Sequence, residues 1–246
     1  GGVGAVAGVA SYVNAASTIT IADGAKVTVD YNGLLTEAPI QNEYALISDI
    51  SGVVTKNGTV ATIGEPYTYV AEGFGLNKNG EYVVLNKAGL ESLAASVNEG
   101  TTYQKKTVLL MNDIDLNNED WTPIGYTSKA GSRPFSGTFD GQNHTISNLS
   151  INRPTKNDIG LFGYTTNGLV KNLNVKNADI EGYLNVGVVA GTPYTSKYEN
   201  ITVTGDVQVK GMSYVGGVFG KNVYANLTNI KLEANAGSQV FVNSVE

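Results

Sequence analysis

The feature that most constrains this chain is a repeat. Three segments align: Ile159-Gly160-Leu161-Phe162-Gly163, Val186-Gly187-Val188-Val189-Ala190-Gly191 and Val215-Gly216-Gly217-Val218-Phe219-Gly220. Their closing glycines, Gly163, Gly191 and Gly220, stand 28 and 29 residues apart. About ten residues after each glycine comes a short alternating run. These runs are Asn172-Leu173-Asn174-Val175, Asn200-Ile201-Thr202-Val203 and Asn229-Ile230-Lys231-Leu232. Asn148-Leu149-Ser150-Ile151 is an earlier copy of the run alone. A period near 28 residues, built of alternating strands without a helix, is one turn of a solenoid. One coil cannot close its own core. Stacking coils in register buries the apolar faces and pairs each strand with its equivalent about 4.8 Å away. The repeat therefore predicts an all-β chain, a right-handed parallel β-helix with coils of about 28 residues. Leu173, Ile201 and Ile230 should stack on one interior face, as should Val175, Val203 and Leu232. The glycines fit sharp corners, and the one after the first apolar residue lets the backbone approach the next coil.

The rest of the chain divides around this repeat. Val3-Gly4-Ala5-Val6-Ala7-Gly8 matches the glycine segment, and Thr18-Ile19-Thr20-Ile21 follows it. Residues 1–30 thus read as a partial coil, a fit better than a signal-peptide remnant, which would carry a basic start. A lone coil with no upstream neighbour points to a fragment of a longer repeat protein. Residues 31–85 lack the period and read as an irregular β connector or small sub-domain. Short β-like runs there, among them Thr59–Ile63 and Tyr82–Leu85, are separated by the turn signals Asn57-Gly58, Glu65-Pro66 and Asn79-Gly80. Residues 86–246 form the main solenoid. It opens on a predicted helix over Lys87–Val97, because Leu90, Leu93, Ala94 and Val97 make one apolar face. Asn86 caps its start and Gly100 its end. A short amphipathic helix there covers the open end of the core.

Composition excludes several functions. The net charge is −6, from 22 acidic and 16 basic residues in a chain of 246, which argues against a nucleic-acid partner. With no Cys there is no disulfide framework, thiolate metal site or cysteine nucleophile. A single His, His144, rules out a multi-histidine metal centre. No apolar run approaches the ~20 residues of a membrane-spanning helix, so no membrane insertion by this chain is expected. A mean hydropathy of −0.08 reads as soluble and globular. The 30 Gly and 26 Asn suit turns and left-handed backbone positions.

The stretch Asn86 to Ile151 resembles the opening of β-helix modules in surface proteins of gut Bacteroidetes. It carries the helix, then Thr107-Val108-Leu109-Leu110-Met111-Asn112-Asp113-Ile114-Asp115-Leu116, then Trp121-Thr122-Pro123-Ile124-Gly125, and then Phe135 to Ile146. Gly160-Leu161-Phe162-Gly163 resembles the GLUG motif outright, while Gly187…Gly191 and Gly216…Gly220 are one residue longer. That motif also accompanies bacterial immunoglobulin-A-cleaving metalloproteases, whose His-Glu-x-x-His is absent here. The resemblance implies a secreted, adhesin-like protein at the cell surface, outer membrane-anchored in its full-length form.

Each candidate for chemistry has a plainer reading. Asp113, Asp115, Asn117, Asn118, Glu119 and Asp120 suggest a calcium loop, but the sixth position would be Asn118 and the twelfth Ile124. An exposed strand face bearing Asp113 and Asp115 explains the spacing, and no metal is assigned. Asp140 and His144 resemble an acid–base pair, yet Asp140-Gly141 favours a tight turn, with Gly137–Phe139 and His144–Ile146 pairing as a hairpin. The exposed strands carry Asn174, Thr202 and Lys231 in place of paired carboxylates. The only arginines, Arg133 and Arg153, leave little to neutralise a uronate in lyase chemistry. No catalytic residue and no cofactor are assigned.

Two rows remain. Asn148, Asn172, Asn200 and Asn229 each precede the first apolar residue of a strand, 24, 28 and 29 residues apart. They read as a structural amide ladder along the axis in preference to a sugar-reading row. Tyr164, Tyr194 and Tyr224 follow their coil glycines, as Tyr12 follows Gly8. Set on equivalent corners, the rings line one edge of the solenoid, either as a binding row for a glycan or host surface protein or as a packing stack. The function expected is a non-catalytic extracellular stalk or adhesin module. The alternative is an accessory domain of a larger carbohydrate-active or proteolytic enzyme. Uncovered rungs near Val3 and Val245 suggest head-to-tail contact between chains.

Overall fold

The computed structural model describes residues 27–30, 54–57, 60–63, 67–71, 73–77, 79–233 and 240–244. Two compact units divide between Val83 and Val84. The first holds β1 (Val27–Asp30), β2 (Val54–Asn57) and β3 (Val60–Ile63), an antiparallel sheet with β3 central. A hairpin of β4 (Tyr67–Ala71) and β5 (Phe74–Asn77) follows. The expected coil at residues 3–29 lies outside the described residues apart from Val27–Val29, which pair antiparallel with Ala61–Ile63. Beyond β5, the Asn77 side chain accepts from the Asn79 and Glu81 N–H groups, which closes the turn expected at Asn79-Gly80. The strand β6 (Tyr82–Val84) ends at the unit boundary.

The second unit is a parallel β-helix of about five turns with coils near 29 residues and one helix. The helix α1 (Lys87–Glu99) starts where Asn86 Oδ1 accepts from Gly89 N at 2.9 Å. It ends at Gly100, whose φ of 121° only glycine adopts readily. Leu90, Leu93, Ala94 and Val97 are buried. The helix lies against the first coil: Asn98 donates to Pro123 O and accepts from Gly125 N, and Lys87 pairs with Glu119.

The coils are built from β7 (Thr107–Leu110), β8 (Ile114–Asp115), β9 (Thr138–Asp140), β10 (Thr145–Asn152), β11 (Phe162–Thr166), β12 (Leu169–Glu181), β13 (Leu184–Gly187), β14 (Ala190–Tyr194), β15 (Lys197–Gly211), β16 (Ser213–Gly216), β17 (Asn226–Glu233) and β18 (Val240–Ser244). All pairing among these strands is parallel. The expected stacks form in register: Leu173 pairs with Ile201 and Ile201 with Ile230, while Val175 pairs with Val203 and Val203 with Leu232, although in the last coil Ile230 is only part-buried and Leu232 is exposed. Ile114 and Ile146 extend the second column towards the helix. Phe139, Val170, Tyr198 and Leu227 make a third column. Phe162 fills the corner, with ring centroids 5.6 Å from Phe135 and 5.4 Å from Phe139. Tyr198 is fully buried, so its hydroxyl pKa is pushed far up, and the hydroxyl bonds Thr165 Oγ1 at 2.9 Å.

The hairpin expected at Asp140-Gly141 does not form. Thr138–Asp140 pairs in parallel with Thr107–Leu109 and with Leu169–Lys171, and the strand after the turn pairs with β8 and β12. Gln142 and Asn143 take left-handed φ values of 51° and 63°, so the segment is a solenoid corner. The same residues that permit a hairpin turn permit this corner, and stacked neighbours on both sides decide between them.

The repeat glycines serve close approach. A Cβ on Gly160 would lie 2.4 Å from Gly187 O, and one on Gly187 would lie 2.5 Å from Gly220 N. The left-handed corners fall mainly to asparagine, with Asn148, Asn172, Asn177, Asn185, Asn200 and Asn229 all at φ between 51° and 59°. Gly160→Ala should therefore destabilise the solenoid by about 2–3 kcal/mol through overpacking. The midpoint of urea unfolding measures it, and an unchanged midpoint would show that the coils separate at no cost.

Candidate functional site

The outer surface carries directed ladders of side-chain amides. Asn229 Nδ2 donates to Asn200 Oδ1 at 2.8 Å, Asn200 Nδ2 to Asn172 Oδ1 at 2.9 Å, and Asn172 Nδ2 to Asp140 Oδ1 at 3.0 Å. Asn148 does not belong to this row. It heads a second one, in which Asn177 Nδ2 donates to Asn148 Oδ1 at 3.1 Å and Asn148 Nδ2 to Asp115 Oδ1 at 2.8 Å. The spacing held the signal: 29 residues separate Asn148 from Asn177, a full coil, against 24 to Asn172. In a third column Asn185 Nδ2 donates to Asp158 Oδ1 at 2.8 Å. Each of these three rows ends on an aspartate, which only accepts and so closes a chain of donors.

The acidic cluster is consumed by such bonds. Asp113 accepts from Thr145 N at 2.8 Å and lies 3.1 Å from His144 Nδ1. The Thr145 N–H above all holds its carboxyl below the ordinary value, with His144 adding to it against a small burial penalty. Asp115 is lowered by the Asn117 N–H and then by Asn148. Asp120 binds Arg153 at 3.0 Å, and Glu119 binds Lys87. His144 thus faces Asp113, while Asp140 faces Lys171 Nζ at 3.1 Å, so the acid–base pair imagined from sequence is not assembled.

The tyrosines do not form one row. Tyr164 and Tyr194 meet with centroids 6.5 Å apart. Tyr164 is partly buried, and that burial, followed by Tyr194 and Asp158, raises its pKa. The rung partner of Tyr194 is Val223, so Tyr224 falls one position later, at φ 57° and 83% exposed. The offset puts Tyr224 on a left-handed bend outside any strand, while Tyr194 ends β14.

A groove is the feature that sequence reasoning missed. Ile124 and Phe135 pair with Phe162 and Thr165, so the eight residues Tyr126 to Arg133 leave the coil. They form a hairpin in which Tyr126 and Arg133 exchange backbone bonds of 2.8 and 2.9 Å. Ile151 pairs with Ile180 and Ile159 with Val186, so the corner through Arg153 and Asp158 is also longer, by two residues. Between these insertions lies a cavity of about 440 Å³, lined among others by Thr122, Tyr126, Arg153, Thr155, Lys156 and Asp158. Asp158 is 2% exposed. It accepts from Asn185, from Thr192 Oγ1 at 2.6 Å and from Thr127 Oγ1, which ties the base of the hairpin to the next coil.

The site and fold define a β-solenoid with an engaged polar exterior and one lateral groove. No family model matches the chain. It is 33% identical over 189 residues to halomucin of Haloquadratum walsbyi, a match covering 71% of this chain and 2% of halomucin. It is 30% identical over 152 residues to a protein of Evansella cellulosilytica named as a Gly-rich membrane protein, covering 58% of this chain and 16% of that protein. A Bacteroides ovatus structure named for the immunoglobulin A1 proteases overlays 67% of this chain and 46% of its own, with a TM-score of 0.35 and 14% identity. The chain is thus a β-solenoid protein with distant similarity to halomucin, and it spans a small part of the length of these two sequence relatives.

Two outcomes follow from the ladders. Asn200→Ala should cost about 2–3 kcal/mol, losing two hydrogen bonds and placing a Cβ residue without a local amide at φ 55°. Asn200→Gly should cost less, since it keeps the corner conformation, and urea unfolding of both variants checks the order. Burial pushes the Asp140 pKa up, but the Gln142 N–H, Asn172 amide and Lys171 outweigh it, and the carboxyl titrates below 3.8. A carboxylate lowered on folding stabilises above the unfolded value, and that contribution is lost as pH falls through the folded one. The stability gap between the native chain and Asp140→Asn should therefore be widest at neutral pH and close as pH falls through the lowered folded-state value, as equilibrium unfolding at several pH values would show.

Proposed function

We propose that this chain is a non-catalytic extracellular module of a bacterial surface protein, a stalk that also presents a binding surface. The observation that carries the reading is the amide ladder Asp140–Asn172–Asn200–Asn229, which ties successive coils together along the axis on the outside of the molecule. Such a ladder resists slippage between coils, which a rod that spaces or displays its neighbours requires. The small share of halomucin that the chain matches supports a module within a much longer polypeptide. The name of the Evansella relative supports a place at the cell envelope. Gly160-Leu161-Phe162-Gly163 supports a kinship with GLUG-motif adhesin-like proteins. The partner is a glycan or a host surface protein. The inter-chain contact expected near Val3 and Val245 falls outside the described residues.

Incubation with polysaccharides and peptides should release no reducing ends and no new termini, while a glycan array should retain the chain. Hydrolysis that vanished in His144→Ala or Asp140→Asn would overturn the non-catalytic reading.

A further inference from the structure

We infer that the groove between the 126–133 hairpin and the Arg153–Asp158 corner binds a saccharide that carries a carboxylate. The proposal rests on the reading of the module as a binding surface and supplies its ligand class. In a repeat fold, departures from the period are where one coil differs from the stack, and insertions gather on a binding face. Both insertions found in the second unit's first coils border this one cavity.

The cavity has a fixed floor and an open, positive rim. Asp158 is held by three donors from three segments, so the walls cannot drift apart cheaply. Those donors are neutral, so the carboxylate keeps its charge, but it is 2% exposed and lies beneath the groove with its oxygens engaged. On the rim, the Lys156 ammonium has no ion pair among the described residues. Arg153 commits Nη2 to Asp120 and Thr122, both at 3.0 Å, while its solvent-accessible Nη1 has no acceptor among the described residues. A carboxylate entering beside Lys156 gives Nη1 that acceptor and gives the ammonium its counter-ion. The side chains of Thr155 and Asn157 have no hydrogen-bond partner among the described residues and can meet sugar hydroxyls, while the half-exposed Tyr126 ring offers a face for a sugar ring. The unpaired Lys156 ammonium beside the partly engaged Arg153 guanidinium favours an acidic ligand over a neutral one.

The test is NMR titration of the whole ¹⁵N-labelled chain with tri-galacturonate. Amide shifts should concentrate at Tyr126 and across Arg153–Asp158. Lys156→Gln, a change at an exposed side chain, should weaken binding about tenfold, and Arg153→Lys, which keeps the charge and loses the fork, by a similar factor. Lys210→Gln on a remote coil should leave affinity unchanged. The fully methyl-esterified trisaccharide should bind at least about tenfold more weakly. Equal binding of the ester, of a sulfated disaccharide or of an acidic hexapeptide would overturn the carboxylate-sugar assignment. Shifts confined to Tyr194 or Tyr224, or affinity indifferent to Lys156→Gln, would overturn the groove and leave the surface-module reading standing. Cleavage of the trisaccharide would overturn the non-catalytic reading instead.

Discussion

The structure depends on one interaction, a left-handed asparagine whose side-chain amide donates to the equivalent residue one coil earlier. The corner demands positive φ, which asparagine tolerates better than other side chains. The same side chain then fixes the height and register of its coil against the previous one. The backbone ladders between coils re-form after a two-residue slip, and apolar contacts tolerate sliding. With Asn200 bonded to Asn172 at 2.9 Å and Asn229 to Asn200 at 2.8 Å, Leu173, Ile201 and Ile230 have one way to stack. The ladders run one way, each amide donating towards the N-terminal side, so the first member needs an acceptor with no proton to give. Asp140, Asp115 and Asp158 supply it.

Glycine and asparagine divide the work that each could do alone. Glycine at every left-handed corner would satisfy the backbone and contribute no axial bond. Asparagine at Gly160 or Gly187 would force the coils apart, since even a Cβ there meets backbone at 2.4 or 2.5 Å. Gly205 marks the boundary between the roles. It takes the left-handed position that follows Asn177 in the second ladder, at φ 79°, and the ladder stops there, with the Asp206 N–H donating to Asn177 Oδ1 in place of an amide.

What the sequence disclosed follows from this chemistry. The glycine segments and the apolar columns recur with the coil, so period alone placed Leu173 over Ile201 and Val175 over Val203. The helix was legible because its cap and apolar face are local, with Asn86, Leu90, Leu93, Ala94 and Val97 sufficient to define it. The corner at Asp140-Gly141 was not, because a hairpin and a solenoid corner ask for the same left-handed residues. The difference lies in partners about 30 positions away. Asn148 belongs to a different row from the one its strand pattern indicates, because two corners per coil carry the same residue type. The tyrosine row breaks at Tyr224, which lies one residue past the rung partner of Tyr194 on a left-handed bend. The groove had no local signal, since its walls are insertions that only the stacked neighbours reveal as insertions.

Asp158 joins the two halves of this design. It heads a ladder, accepting from Asn185 as Asp140 accepts from Asn172, and it is also the floor of the groove, accepting from Thr127 of the hairpin base. A repeat specialises by interrupting its period, yet an inserted loop on an ordinary corner is free to move and presents its side chains poorly. Anchoring the insertion to a ladder residue avoids this, because the bonds that hold the coils in register also hold the loop. The hairpin therefore inherits the rigidity of the stack beneath it. Loosening the coils at Asn185 would deprive the groove of its floor, while changing the exposed Lys156 would leave the stack untouched. Rod and groove are then coupled in one direction, with the periodic part setting the geometry and the aperiodic part free to vary its chemistry.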